Sequence, residues 1–169
     1  MWVIKLQANG NLSWQKTYGG NNSDAASCIQ KTNDEHYIIA GSTDSNNGDI
    51  INSHGSIDAW VLKIDDSGNI LQQTTIGTNG SEGANNILQI HDNNFLVIGR
   101  SQNADSNIEN IFIAALNTNC TLLWQRQIPQ EDSSTFASTI FETTDCGYII
   151  FGNKQTILDL NNTLIIKLK

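Results

Sequence analysis

The sequence is poor in everything that marks a linker, a disulfide framework or a nucleic-acid surface. It has one proline in 169 residues, so a Pro-rich tail or spacer is excluded. Its three cysteines, Cys28, Cys120 and Cys146, are widely spaced and none lies in a Cys-x-x-Cys pair. That spacing supports neither a zinc site nor a redox motif, and no disulfide is expected. Only 15% of residues are charged, with 9 Lys+Arg against 17 Asp+Glu and a net charge of −8. A chain of this sign lacks the electrostatic footprint for phosphate backbones, so nucleic acid is not an expected partner. No apolar run approaches the ~18 residues of a membrane span. The N-terminus, Met1-Trp2-Val3-Ile4-Lys5-Leu6, lacks the basic region and apolar core of a signal peptide.

What the sequence has instead is neutral polarity, with 22 Asn, 14 Ser and 14 Thr, and a repeat. Trp2-Val3-Ile4-Lys5-Leu6 aligns with Trp60-Val61-Leu62-Lys63-Ile64, then Phe112-Ile113-Ala114-Ala115-Leu116, then Leu164-Ile165-Ile166-Lys167-Leu168, at offsets of 58, 52 and 52. Other positions recur with them: Trp14, Gln72 and Trp124; Tyr37, Phe95 and Tyr148; Gly41, Gly99 and Gly152; Asp34, Asp92 and Asp145; Ala26, Ala84 and Ala137.

Each repeat holds four short segments rich in β-branched and aromatic residues, separated by turn signals such as Asn9-Gly10-Asn11 and Ser67-Gly68-Asn69. The first type covers 25–32, 83–90 and 136–143. The second covers 37–43, 95–101 and 148–153. The third is the Trp-Val-Ile-Lys-Leu type, and the fourth covers 12–18, 70–76 and 121–128. None carries a sustained 3.6 period, so no helix is expected. Four strands per unit of about 52–58 residues is the spacing of a β-propeller blade. The expected fold is therefore all-β: four-stranded antiparallel blades, three blade-equivalents plus one strand, in a single domain over 1–169. The repeat units run approximately 25–76, 83–128 and 136–169, with 2–18 completing a blade.

The segments Asp58-Ala59-Trp60-Val61-Leu62-Lys63-Ile64-Asp65, Leu12-Ser13-Trp14-Gln15-Lys16-Thr17-Tyr18-Gly19-Gly20 and His36-Tyr37-Ile38-Ile39-Ala40-Gly41-Ser42-Thr43 resemble the SBBP-type β-propeller repeats of bacterial surface and secreted proteins. The resemblance covers nearly the whole chain and weakens in the third repeat, where Cys120 stands at the turn Gly. It implies a non-enzymatic module of a larger exported protein, at the cell surface or outside the cell. A chain complete as given would instead be cytoplasmic. The resemblance supplies no catalytic residue.

Three blades cannot close a ring, since propellers use about four to eight. Two completions are expected: further blades of a larger chain, or edge-to-edge self-association in which 2–6 and 12–18 of one copy complete the blade opened by 137–169 of another. One of the two competing third strands must then give way.

No catalytic, metal or cofactor site stands out. His36, His54 and His91 have no nucleophile in a recognisable motif. Asp44-Ser45-Asn46-Asn47-Gly48-Asp49 has the oxygen-rich composition of a calcium loop, but turn chemistry accounts for the same residues. Asp34, Asp92 and Asp145 are expected to fix turns through Asx-type bonds to the backbone. The tryptophans are expected in packing positions. Variable loops on a regular scaffold carry recognition. The expected ligand-binding residues are thus Asn46, Asn47, Asp49, His54, Asn103, Asp105, Asn107 and Gln155, facing a protein or glycan. The alternative functions are a purely structural spacer or a self-assembling scaffold, with a hydrolase ranked last.

Overall fold

The computed structural model describes residues 1–129, 133–156 and 161–168. Among them every regular element is a strand, thirteen in all: β1 (Trp2–Leu6), β2 (Leu12–Thr17), β3 (Asp24–Lys31), β4 (Tyr37–Thr43), β5 (Asp58–Ile64), β6 (Ile70–Ile76), β7 (Ser81–Gln89), β8 (Phe95–Gln102), β9 (Glu109–Leu116), β10 (Leu122–Ile128), β11 (Ser133–Glu142), β12 (Tyr148–Thr156) and β13 (Asn161–Leu168). The all-β expectation holds. No helix among the described residues is long and apolar enough to cross a membrane.

Strands pair antiparallel in chain order, in four open sheets: β1-β2, β3-β4-β5-β6, β7-β8-β9-β10 and β11-β12-β13. The reason lies in the side chains. The second and third strands of each unit are apolar on both faces, so both faces need cover. β5 is buried at all seven positions, and β8 and β9 nearly so. The outer strand β10 is mostly exposed and β6 is exposed over its first three residues, which suits their polar residues to a water-facing edge.

Three apolar layers hold consecutive sheets face to face. Val3 and Trp14 of the first sheet pack on Ile39, Trp60, Leu62 and Ile64 of the second. The other face of the second sheet, Ile38, Ala40, Ala59 and Val61, meets Ile87, Phe95, Val97 and Ala114 of the third. Leu96, Ile98, Ile111 and Ile113 on the far side of the third sheet meet Ala137, Ile140 and Ile150 of the fourth.

The repeated glycines and alanines now have a cause. The first strand of each complete pairing carries a one-residue register shift: between Ala26 and Cys28, between Ala84 and Asn86, and between Ala137 and Thr139. Ala26, Ala84 and Ala137 sit opposite Gly41, Gly99 and Gly152. A Cβ on any of these glycines would collide with a backbone carbonyl oxygen, of Ala25, Gly83 and Phe136 respectively. The bulge brings the first strand against the second, and only glycine leaves room for it.

The hairpin turns at one end of the stack are also copies. They span 7–11, 32–36, 65–69, 90–94, 117–121 and 143–147. In each, the first N–H donates to the fifth carbonyl and the fourth N–H to the first carbonyl, at 2.8–3.0 Å. The fourth residue is left-handed: Gly10, Glu35, Gly68, Asn93, Cys120 and Cys146, with φ between 58° and 85°. This is a type I turn closed by a bulge residue. At Glu35, Cys120 and Cys146 the side chain makes that conformation unfavourable by about 1–2 kcal/mol. The three thiols are free. Cys120 is buried, Cys28 half-buried and Cys146 exposed.

The tryptophans divide rather than sharing one role. Trp60 is 0% exposed, and its indole N–H donates to Gln73 Oε1 at 3.0 Å. Trp14 is half-buried and donates to the Asp66 carbonyl at 2.9 Å. Trp2 and Trp124 are 60% and 43% exposed, Trp124 at a cleft it lines with Tyr148 and Leu168 of the fourth sheet.

Two substitutions test these packing causes. Trp60→Ala removes a fully enclosed indole and should cost about 3–5 kcal/mol. Gly99→Ala adds one methyl where a carbonyl already lies, and should cost about 1–3 kcal/mol or more, although alanine is otherwise the mildest of replacements. Urea unfolding gives both values, and a neutral Gly99→Ala would contradict the close approach.

Candidate functional site

The two ends of the stack are built differently. One end carries the six matching turns. The other carries the unequal connections: 18–23, 44–57, 77–80 and 103–108. They join into one surface through their own hydrogen bonds. Asn21 N–H donates to Asn47 Oδ1 at 2.9 Å and Gly19 N–H to Asp49 Oδ2 at 3.0 Å. Ser56 N–H donates to the Gly80 carbonyl at 3.1 Å, and a parallel bridge joins Ile57 to Ser81. Glu109 N–H donates to Ser134 Oγ at 3.2 Å, which ties the third sheet to the fourth.

Three carboxylates at strand starts anchor this end. Asp24, at the head of β3, accepts from Gly20 N–H at 2.8 Å, Thr43 Oγ1 at 2.5 Å and Ser45 Oγ at 3.1 Å. Glu82 on β7 accepts from Thr78 N–H at 2.7 Å, Thr78 Oγ1 at 2.9 Å and Ser101 Oγ at 2.7 Å. Asp58 on β5 accepts from His54 N–H at 2.7 Å and Gly55 N–H at 3.3 Å. Asp58 and Glu82 are buried, and a buried carboxylate is tolerated when its lone pairs are met by donors. Asp24 and Glu82 stand 58 residues apart, as do their partners Gly20 and Thr78, and Thr43 and Ser101. The repeat register therefore held the signal for these anchors, which a reading confined to the most obvious recurring residues passes over. In the fourth sheet the equivalent residue is Thr135, whose buried Oγ1 has no hydrogen-bond partner.

The expected binding residues fall into three groups. Asn46, His54, Asn103, Asp105 and Asn107 are exposed on the connecting loops. Asn47 and Asp49 face the same end, but their side-chain oxygens hold the 18–23 connection. Gln155 is not in a loop. β12 continues to Thr156, where Gln155 pairs with Ser134 and Asn161, and its side chain is half-buried. The second segment of the third repeat, expected over 148–153 with Gln155 in the loop after it, is corrected accordingly: the ladder with both neighbours continues through Gln155. Positions 157–160, between β12 and β13, lie outside the described residues. Among the described residues, no group of three or more His, Cys, Asp or Glu side chains gathers as metal ligands.

At the turn end, the recurring aspartates behave unequally. Asp34 accepts from Lys63 Nζ at 2.7 Å and Thr32 Oγ1 at 2.5 Å. Asp145 accepts from Lys167 Nζ at 2.7 Å and from Thr143. In the third sheet Ala115 stands where Lys63 and Lys167 stand. Asp92 there accepts instead from Asn94 N–H at 3.0 Å. The expected Asx bond thus forms at Asp92, while at Asp34 and Asp145 a lysine within reach takes the carboxylate. His91, in the turn between β7 and β8, lies 2.5 Å from Glu142 Oε1, which raises its pKa.

A scan against protein-family models and a search of curated proteins return no match.

The ion pairs set a pH dependence. Partial burial opposes the charge on Asp34, but hydrogen bonds from Lys63 and Thr32 outweigh it and hold the carboxyl well below the usual range. The hydrogen bonds from Lys167 and Thr143 bring Asp145 from the ordinary 3.8 down to about 2. A carboxyl depressed in the folded state contributes stability above its unfolded pKa, and that contribution is lost as pH falls through the folded value. The urea midpoint should decline as pH drops from about 4 toward 2. Asp145→Asn should flatten this acid limb, and an unchanged limb would show that the pair contributes nothing.

Proposed function

We propose that the chain is an arc of β-propeller blades acting as a non-catalytic binding module, with its loop end recognising a glycan or a polar protein surface. The observation that carries this reading is the contrast between the two ends. Six turns at one end repeat the same hydrogen bonds. The connections at the other end differ in length and are locked in place by carboxylates from the strands. A scaffold whose one end is uniform and whose other end varies suits recognition at the varying end. Four sheets packed face to face in the register of a repeat favour blades over a two-layer sandwich, which has no reason to repeat.

The ligand class follows from surface chemistry. Asn46, Asn103 and Asn107 offer neutral donors and acceptors, and His54 adds a ring face. Such groups match hydroxyls and amides, and the net charge of −8 disfavours polyanions. Asp34 and Asp145, whose pKa values are depressed, are bound to lysines, which favours a structural role for them over acid–base catalysis. The resemblance to SBBP-type repeats supports an exported, surface-borne setting.

A glycan array and a panel of purified cell-surface proteins, probed with the chain, test the reading. The fourfold variant Asn46→Ala, His54→Ala, Asn103→Ala, Asn107→Ala should weaken any signal at least tenfold, with an unchanged unfolding temperature. Binding that survives all four changes would move recognition elsewhere, and turnover of a glycoside or ester substrate would replace the reading with an enzyme.

A further inference from the structure

The chain makes the same contact repeatedly within itself and leaves both halves of it open at its two ends. Ala84 and Ile87 on β7 are buried under the second sheet, and Ala137 and Ile140 on β11 under the third. Their equivalents on β3 are uncovered: Ala26 is exposed, and Ile29 is 51% exposed. Among the described residues the first sheet holds two strands, equivalent to the third and fourth of a full sheet, and they leave Ala26 and Ile29 uncovered. The fourth sheet has the opposite gap. Its first three strands are present, and its outward face carries Phe141 at 58% and Phe151 at 43% exposure. Phe151 is the repeat equivalent of Ala40 and Ile98, which face the next sheet in the second and third sheets.

The edges match as well as the faces. Among the described residues β1 pairs only with β2, and β13 only with β12. Beside β13, where a fourth strand would run, lies a cleft of about 550 Å3 lined by Trp124, Arg126, Ile128, Tyr148 and Leu168. Trp14, the equivalent of Trp124, donates its indole N–H to the turn joining the third and fourth strands of the sheet it faces. Among the described residues no such turn stands beside Trp124.

We propose that a second copy of this chain supplies it. Its β1–β2 hairpin completes the fourth sheet: β1 takes the seat of β13 on β12, and β2 becomes the missing outer strand in the Trp124 cleft. Trp2, Ile4 and Leu6 then occupy the places of Leu164, Ile166 and Leu168 against the third sheet. Lys5, paired with Asp66 in the single chain, changes partner to Asp145, which Lys167 holds there. β11 and β12 of the first copy in turn cover Ala26 and Ile29 of the second. The occupant is a copy of this chain because the missing contact is one the chain already makes with itself, in the same register. A heterologous contact of this kind either closes into a ring or runs on as a filament. Two copies joined this way hold six full sheets, a number that closes a propeller. The proposal does not depend on what the loop end binds.

Light scattering on the full chain tests it. The expected mass is twice 18.6 kDa, and a monodisperse 18.6 kDa species would overturn the proposal. Variants at positions exposed in the single chain locate the contact without disturbing its core. A head variant, Ile4→Lys with Ile29→Lys, and a tail variant, Phe141→Lys with Phe151→Lys, should each be monomeric with an unchanged strand signal in circular dichroism. Mixed together they should regain association, because one keeps an intact tail and the other an intact head. A mixture that stays monomeric, or a single variant that still associates, overturns the contact. Ile165→Lys, on the strand that gives up its seat, should leave the mass unchanged. Its loss of association would show that sheets stack face to face without strand exchange, and would overturn the exchange.

Discussion

A strand with large apolar side chains on both faces cannot sit in a sheet that has water on one side. That constraint governs the molecule. Trp60, Leu62 and Ile64 point one way from β5, and Ala59 and Val61 the other. Each group needs a separate sheet for cover. The same holds for β8 and β9, whose alternate residues belong to two different apolar layers. Sheets therefore follow one another as a stack, and the burial that stabilises each depends on the next. A single sheet of this kind would leave one whole face wet, which is why such units stand only in series.

The backbone geometry of the unit serves that stacking. The bulge after Ala26, Ala84 and Ala137 sharpens the local twist of the first strand. The glycine opposite each bulge allows the approach. The turn end needs little sequence to repeat, since one left-handed residue closes each turn, and it tolerates Glu35, Cys120 and Cys146 where glycine would be easiest. Between these fixed points, the connections at the other end are free to differ. Asp24, Asp58 and Glu82 hold them by accepting backbone and hydroxyl hydrogens, so that variable segments remain ordered on a regular frame.

The repeat was legible because its causes are local. Turn glycines, β-branched runs and the glycine at the bulge each mark a fixed backbone position, and they recur together at the repeat offsets of 58 and 52–53. What escaped the sequence were partnerships that depend on the neighbouring strand. Asp34, Asp92 and Asp145 look equivalent along the chain, yet whether each bonds a lysine or its own turn is decided by Lys63, Ala115 or Lys167 on another strand. Trp14 and Trp124 occupy matching positions, but among the described residues only Trp14 bonds a turn of the following sheet. The end of β12 was misjudged because Asn153, Lys154 and Gln155 carry no β-preference of their own. Pairing with β11 and β13 keeps them extended. The candidate binding residues were legible as loop positions. The carboxylate anchors beneath them show only once the repeat register is applied to polar residues as well as to apolar ones.

The dependence of each sheet on its neighbours is the central claim, and amide hydrogen exchange measures it directly. In a dilute, monomeric sample, protection should be greatest in 37–43, 58–64, 95–102 and 109–116, the strands covered on both faces. It should be least in 2–6 and 161–168, which border the open ends. Protection that is uniform along the chain, or strongest in 2–6, would contradict the account.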